Sequence, residues 1–129
     1  MYVSWKDDTT RQRIPAGEWT PLQTNGKTTI TPTADGAVVV WEVSVHFECP
    51  PPGDRYRPDD VLIQLCRVKP GGVLDWTGSR PVHLPRRRLT AIDTQMWYFK
   101  GRTDTPVMAR ILSDTPITVT MVEFKGWTP

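Results

Sequence analysis

The stretch from Ala37 to Glu48, which reads AVVVWEVSVHFE, is the feature that most constrains the fold of this chain. Its odd positions form an unbroken apolar row, whereas its even positions are apolar at Val38 and Val40 and polar from Glu42 onward. A period of two, with β-branched and aromatic residues, predicts a strand that packs one face on a core and turns the other towards water. The apolar start of the second face predicts that something covers that end: another sheet edge, a neighbouring subunit or an N-terminal arm, of which we favour the last two.

The rest of the chain has the same character. Thirteen prolines in 129 residues argue against long helices, and no segment has a convincing helical period. About eight strands, spaced by roughly 8–14 residues and separated by turn signals such as Asn25-Gly26, predict an all-β antiparallel sandwich, and more specifically a jelly roll. We expect residues 11–129 to form this single domain. Residues 1–10 are expected to form an N-terminal arm that either docks on a neighbouring subunit or frays.

Two later strands add detail. The segment from Val61 to Lys69, VLIQLCRVK, is apolar on both faces. In the last strand, from Ile117 to Lys125, the apolar set moves off the odd positions to Val122 and Phe124. A one-residue change of face is what a β-bulge produces, so the pattern predicts a bulge in this strand.

The bulk composition excludes some classes of partner. A net charge of +2 gives no electrostatic reason to expect nucleic acid or an anionic membrane. No apolar run approaches the roughly 18 residues of a membrane span, and the first residues lack the apolar core of a signal peptide. We therefore expect a soluble chain that is not addressed to a secretory route. A disulfide between Cys49 and Cys66 stays open as an alternative, but in a reducing cytosol we expect both to be free thiols.

No motif in the sequence predicts a metal site. The mixed set of His46, Cys49, Cys66 and His83 lacks the paired spacing that marks zinc ligands. His46 also falls on the face of its strand predicted to meet water. We expect no metal and no cofactor.

Catalytic arrangements are equally weak. The acidic pairs Asp7-Asp8 and Asp59-Asp60 lie at element boundaries, where Asp is a common turn and cap residue. A set of Ser79, His83 and Asp75 can be assembled, but no G-x-S-x-G turn accompanies it. The sequence therefore predicts a protein that is not an enzyme.

Aromatic residues and one basic run are the candidate contacts with a partner or a glycan. Aromatic residues on regular strands, Trp41, Trp97 and Phe99, are expected in the core. Those in loops or at chain ends are candidates for stacking or for interfaces, and the basic run is a candidate for an acidic partner surface. The candidates are Trp5, Tyr56, Trp76, Arg86, Arg87, Arg88 and Trp127.

The last third of the chain resembles the closing hairpins of small jelly-roll proteins in the virions of tailed bacteriophages that infect actinobacteria. The residues that carry this resemblance are the proline-led turns at Thr105-Pro106 and Thr115-Pro116, the alternating Thr and Val of the last strand, and the end at Gly126-Trp127. The entry at Pro15-Ala16-Gly17, followed by an amphipathic strand, is similar too.

The resemblance implies a non-enzymatic role as a capsid decoration or minor tail protein, assembled in the host cytoplasm and located in the virion. It implies contacts with other virion proteins and a homo-oligomer, with a trimer favoured. The alternative from the aromatic residues is a carbohydrate-binding module, or a receptor-binding domain that recognises a host-surface glycan.

Overall fold

The computed structural model describes residues 2–30, 37–48, 61–77, 79–83, 90–102 and 105–127, and within these ranges the regular structure is entirely β-strand. Two strands, β5 and β6, have the bounds predicted from the sequence. The strands are β1 Tyr2–Asp7, β2 Gln12–Ile14, β3 Thr20–Pro21, β4 Thr29–Ile30, β5 Ala37–Glu48, β6 Val61–Lys69, β7 Val73–Asp75, β8 Val82–His83, β9 Thr90–Arg102, β10 Val107–Ser113 and β11 Ile117–Trp127.

The strands form two antiparallel sheets. The five-stranded sheet has the order β1-β11-β5-β9, and β2 also pairs with β11. The six-stranded sheet has the order β3-β10-β6-β7, in which β4 also pairs with β10 and β8 with β6. The two sheets contribute to one core, so the prediction of an all-β chain is confirmed and the arrangement is consistent with a β-sandwich.

At three sheet edges, two short strands share the place that one long edge strand would take. Along β11, β1 pairs with residues 122–127 and β2 with residues 117–119. In the same way β3 and β4 share one side of β10, and β7 and β8 share one side of β6. Short edge pieces present few consecutive unpaired backbone groups, which disfavours pairing with other chains at these edges.

The core lies between the inner rows of four long strands. Val43, Val45 and Phe47 of β5 are buried, as their period predicts. The side chains of Trp41, Trp97 and Phe99 lie outside the described part of the chain. The core cluster contains Ile14, Leu22, Ile30, Val43, Val45, Phe47, Val61, Ile63, Leu65, Val107, Ala109, Ile111, Ile117, Val119, Val122 and Phe124.

The bulge predicted in the last strand is confirmed. Val119 pairs with Phe47 and Met121 with His46, so Thr120 is the extra residue on β11. The hydroxyl of Thr120 donates to the His46 carbonyl oxygen at 3.3 Å. The bulge changes the face of the residues that follow, which is why Val122 and Phe124 reach the core.

Residues 2–7 of the predicted N-terminal arm form β1, which pairs along its length with β11. Trp5 lies opposite Phe124 and packs, half-buried, against the core. β1 therefore lies beside β11 within its sheet, one strand away from β5.

Two side chains connect the edges of the two sheets. Asp7, at the end of β1, accepts a hydrogen bond from the Asn25 amide at 2.7 Å. Gln12 of β2 donates to the Pro21 carbonyl at 2.8 Å and accepts from the Gln23 amide at 3.0 Å. The Gln12 amide thus pairs with the neighbouring backbone as another peptide group would.

The turn predicted at Asn25-Gly26 is confirmed. Asn25 has φ 53° and Gly26 has φ 78°, and the flanking residues Thr24 and Lys27 exchange backbone hydrogen bonds of 2.7 and 3.1 Å. Positive φ at both central residues is the type I′ geometry that Asn-Gly favours.

Candidate functional site

The six-stranded sheet has a second apolar face, on the side of β6 and β10 away from the core. We call it the outer face. Three cross-strand pairs form its centre, and two of them are apolar: Leu62 with Leu112 and Cys66 with Met108. Cys66 and Met108 are buried, whereas both leucines are half-buried.

The third pair on this face is polar. Gln64 of β6 lies directly opposite Arg110 of β10. Arg110 donates from Nη2 to the Gln64 side-chain oxygen at 2.8 Å and from Nε to the same oxygen at 3.3 Å. Gln64 is only 6 % exposed, so its oxygen depends on Arg110 as a donor.

Two indole rings enclose the Arg110 guanidinium. Its central carbon lies 4.2 Å from the centroid of the Trp19 ring and 3.7 Å from that of the Trp76 ring. We call these three residues the Trp–Arg–Trp stack. A guanidinium over an indole face gains roughly 0.5–2 kcal/mol from each ring, depending on how far it is desolvated.

Trp76 is held by the turn that follows β7. The Ser79 amide donates to the Trp76 carbonyl at 3.0 Å. Thr77 is fixed on both sides, since its amide donates to Asp75 Oδ1 at 3.0 Å and its carbonyl accepts from Arg67 Nη1 at 3.1 Å. The indole is therefore positioned by a tight turn on a sheet edge.

The electrostatics of this face follow from burial. Burial lowers the pKa of the Arg110 guanidinium, although arginine stays charged at any physiological pH. No carboxylate among the described residues forms an ion pair with Arg110. Burial also raises the pKa of the Cys66 thiol to about 11, so this cysteine is a packing residue and a poor nucleophile.

A second exposed feature lies on the five-stranded sheet. Tyr2 of β1 and Trp127 of β11 are direct cross-strand partners, and they are 78 % and 41 % exposed. Ser4, two residues after Tyr2, donates to Glu123, four residues before Trp127, at 2.7 Å. Tyr2 and Trp127, which we call the terminal aromatic pair, thus stand beside polar side chains on an open surface.

The structure separates the candidate residues chosen from the sequence. Trp5 packs on the core, Trp76 belongs to the Trp–Arg–Trp stack, and Trp127 belongs to the terminal aromatic pair. Tyr56 and the run of Arg86, Arg87 and Arg88 lie outside the described residues.

The residues of the candidate metal and triad sets lie partly within the described ranges. No group of three or more His, Cys, Asp or Glu that could hold a metal ion occurs within the described ranges, and Cys49 lies outside them. The Ser79 hydroxyl has no hydrogen-bond partner, so it is not bonded to His83. Asp75 is bonded to the Thr77 amide and lies 3.8 Å from Lys69 Nζ.

Sequence reasoning missed Trp19, Gln64 and Arg110. A signal for the last two was present: in β6 the second row reads Leu62, Gln64, Cys66, and in β10 it reads Met108, Arg110, Leu112. One polar residue at the centre of each of two apolar rows indicates that the two residues satisfy each other once the strands pair. Trp19 has no comparable signal, because its position depends on the irregular chain before β3.

No protein-family model matches this sequence, and a search of curated proteins gives no significant match. In the part of the chain that the structure describes, no helix is long and apolar enough to cross a membrane.

Proposed function

We propose that this chain is a structural component of a bacteriophage virion, a minor tail or capsid decoration protein, and that it acts through protein–protein contacts without catalysis. The observation that carries the proposal is the outer face of the six-stranded sheet. The centre of this face is covered by the chain itself, since Gln64, Cys66 and Met108 are buried, but its apolar rim is not fully covered. Leu62, Val68 and Leu112 are half-buried and Leu74 is 41 % exposed, and an incompletely covered apolar rim is the kind of surface that another protein covers.

The strand pairing supports a jelly-roll connectivity. If each interrupted edge counts as one strand (β1 with β2, β3 with β4, β7 with β8), the described strands reduce to eight. The first then pairs with the eighth, the second with the seventh, the third with the sixth and the fourth with the fifth. This is the pairing of a long antiparallel ribbon rolled into two sheets. Jelly rolls of eight strands occur in viral capsid domains and in lectins.

The resemblance of the closing hairpins to phage virion proteins supports a location in the virion. On this proposal the chain is assembled in the host cytoplasm, forms a homo-oligomer (a trimer in the favoured form), and contacts other virion proteins. No cofactor, nucleic acid or membrane takes part.

The mass of the protein in solution tests the proposal. Native mass spectrometry is expected to give a multiple of the 14.7 kDa chain. Leu112→Gln, on the outer face, is expected to shift the protein towards the monomer, because it makes the contact surface polar. Thr118→Gln, a half-exposed residue of the other sheet, is the matched control and should leave the mass unchanged. A wild-type monomer that binds a sugar would contradict the proposal.

The terminal aromatic pair favours a second candidate, recognition of a host-surface glycan. Exposed aromatic rings with one polar end suit stacking against sugar rings, and Tyr2 and Trp127 lie on adjacent strands. A glycan array probed with the wild type, Trp127→Ala and Trp76→Ala decides this. If the terminal aromatic pair binds a glycan, Trp127→Ala should abolish glycan binding. Trp76→Ala should leave glycan binding unchanged, because Arg110 occupies one face of the Trp76 ring. An array on which the wild type binds no glycan would refute the glycan-binding candidate.

A further inference from the structure

The Trp–Arg–Trp stack leaves part of the Arg110 guanidinium available. The two bonds to Gln64 use one N–H at Nε and one at Nη2, whereas a guanidinium carries five N–H donors. The rings of Trp19 and Trp76 lie against it, with centroids 4.2 and 3.7 Å from its central carbon, so an incoming group meets it through the remaining N–H groups. A carboxylate approaching in the plane of the guanidinium forms the paired, charge-assisted hydrogen bonds that arginine favours.

The charge on this face is uncompensated within the described part of the chain. Lys69 pairs with Asp75 at 3.8 Å and Arg11 with Glu48 at 2.7 Å, but no such carboxylate lies beside Arg110. A half-buried cation that water solvates poorly interacts more strongly with an opposite charge than an exposed one does. The complementary group for this position is therefore an anion.

The surroundings of Arg110 decide what carries that anion. Leu62, Leu112 and Val68 lie on the same face and are half-buried. A sugar acid would place hydroxyl groups against these side chains and leave the hydroxyls without partners. An acidic residue flanked by apolar residues on a protein surface fits both the charge and the apolar rim.

We propose that the Trp–Arg–Trp stack is the binding site for an Asp or Glu side chain of a partner protein, whose neighbouring apolar residues pack on the outer face around it. This inference rests on the proposed function, since it names the partner chemistry for the same face. Arg110 binds the carboxylate, Trp19 and Trp76 hold the guanidinium flat and exclude water, and Gln64 fixes its orientation.

A random twelve-residue peptide library tests the proposal, selected on the full chain immobilised from a dilution at which native mass spectrometry gives the monomer, so that no second copy covers the outer face. We expect the enriched peptides to carry an Asp or Glu next to apolar residues. We expect their affinity to fall at least tenfold when that residue becomes Asn or Gln, and to fall at least tenfold on Arg110→Gln. Arg13→Gln, an exposed arginine on β2 of the other sheet, is the matched control and should bind as the wild type does.

Gln64→Glu is the second variant, in case Arg110→Gln alters the fold. It keeps the stack but places a carboxylate of the chain itself beside the guanidinium, where it competes with the peptide. At least tenfold weaker peptide binding with an unchanged circular dichroism spectrum is expected. Peptides without an acidic residue, equal binding by Arg110→Gln and Arg13→Gln, or no enrichment at all would each overturn the proposal.

The outcome is independent of the test of the proposed function. If the wild type is a multimer that Leu112→Gln dissociates but no acidic peptide binds, the carboxylate site is wrong and the protein-contact role stands. If acidic peptides bind through Arg110 while Leu112→Gln leaves the mass unchanged, the site stands without a role in self-association.

Discussion

Removal of the Asp7 carboxylate is expected to lower the free energy of unfolding by about 3 kcal/mol. Asp7 is 3 % exposed and stands where the edge strand breaks between β1 and β2. Its Oδ1 accepts from the amides of Thr9 and Thr10 at 3.0 Å each, and its Oδ2 accepts from the Asn25 amide at 2.7 Å. One carboxylate thus closes the break in one sheet edge and holds the turn that belongs to the other.

The magnitude follows from these three bonds. A hydrogen bond to a charged group contributes roughly 1.5–3 kcal/mol, and a buried donor left unpaired costs about 1–3 kcal/mol. Water can replace part of the loss at Thr9, which is exposed, so we take about 3 kcal/mol in total for Asp7→Ala. With an unfolding entropy of about 2.1 cal/mol/K per residue, this corresponds to a fall in the melting temperature of about 10 °C. Asp7→Asn keeps one acceptor oxygen and should lose about 2 kcal/mol.

The pH dependence gives a second, independent readout. The amide of Thr10, followed by those of Asn25 and Thr9, holds the pKa of the Asp7 carboxyl below its usual range, against the opposing effect of burial. The unfolded chain therefore binds this proton first as pH falls. The stabilisation is complete above the unfolded-state pKa of about 4 and is lost progressively below it.

Urea unfolding followed by tryptophan fluorescence at several pH values between 7 and 2.5 measures both effects. The adjacent Asp8→Asn is the control, because Asp8 is exposed and only 4.0 Å from Lys6 in a surface ion pair, which is worth about 0–1 kcal/mol. If Asp7→Asn is as stable as Asp8→Asn at pH 7, or if the gap between them does not narrow below pH 4, this account of Asp7 is refuted.

Three further predictions use the same unfolding assay or a simple labelling experiment. Phe47→Ala, at a fully buried core position, should cost about 3–5 kcal/mol, while Trp127→Ala should cost under about 1 kcal/mol; equal losses would contradict the assigned core. Gly26→Ala should cost about 1–2 kcal/mol through its positive φ alone, since nothing lies within 4 Å of the added carbon; a neutral result there, with Lys27→Ala also neutral, would argue against the type I′ turn. In a Cys49→Ser background, Cys66 should react with a thiol reagent only in denaturant, because it is buried and its pKa is raised to about 11; labelling of the native protein on the timescale of a free thiol would disprove that burial.

The sequence predicted the long strands well, because their side chains repeat without interruption. The bounds of β5 and β6 followed from period and turn residues, and the bulge at Thr120 followed from the change of apolar face in β11. These features depend on one strand at a time. An apolar period of two residues shows which side chains share a face of the strand, whatever strand pairs with it.

The edge strands were harder to predict, because their structure depends on partners far along the chain. The segment from Tyr2 to Asp7 shows no clear period, yet it pairs with the end of the chain, more than one hundred residues away in sequence. The Trp–Arg–Trp stack combines residues 19, 76 and 110 from three separate elements. Only the register that sets Gln64 against Arg110 brings them together.

Stability measurements on the Gln64–Arg110 pair distinguish a partner-binding role for the stack from a purely structural one. Arg110→Met alone leaves the buried Gln64 oxygen without its donor and should cost about 2 kcal/mol. Replacing both residues by Met removes the polar pair together, and such a replacement is often nearly neutral, since desolvation of the charge no longer opposes folding. We therefore expect the double variant to lie within about 1 kcal/mol of the wild type in urea unfolding, even though it lacks the cation–π contacts. A double variant that is less stable than Arg110→Met would make the stack a structural element of the sheet. A near-neutral double variant means that the fold does not require a charge on this apolar face, as the proposed contact with a partner carboxylate predicts.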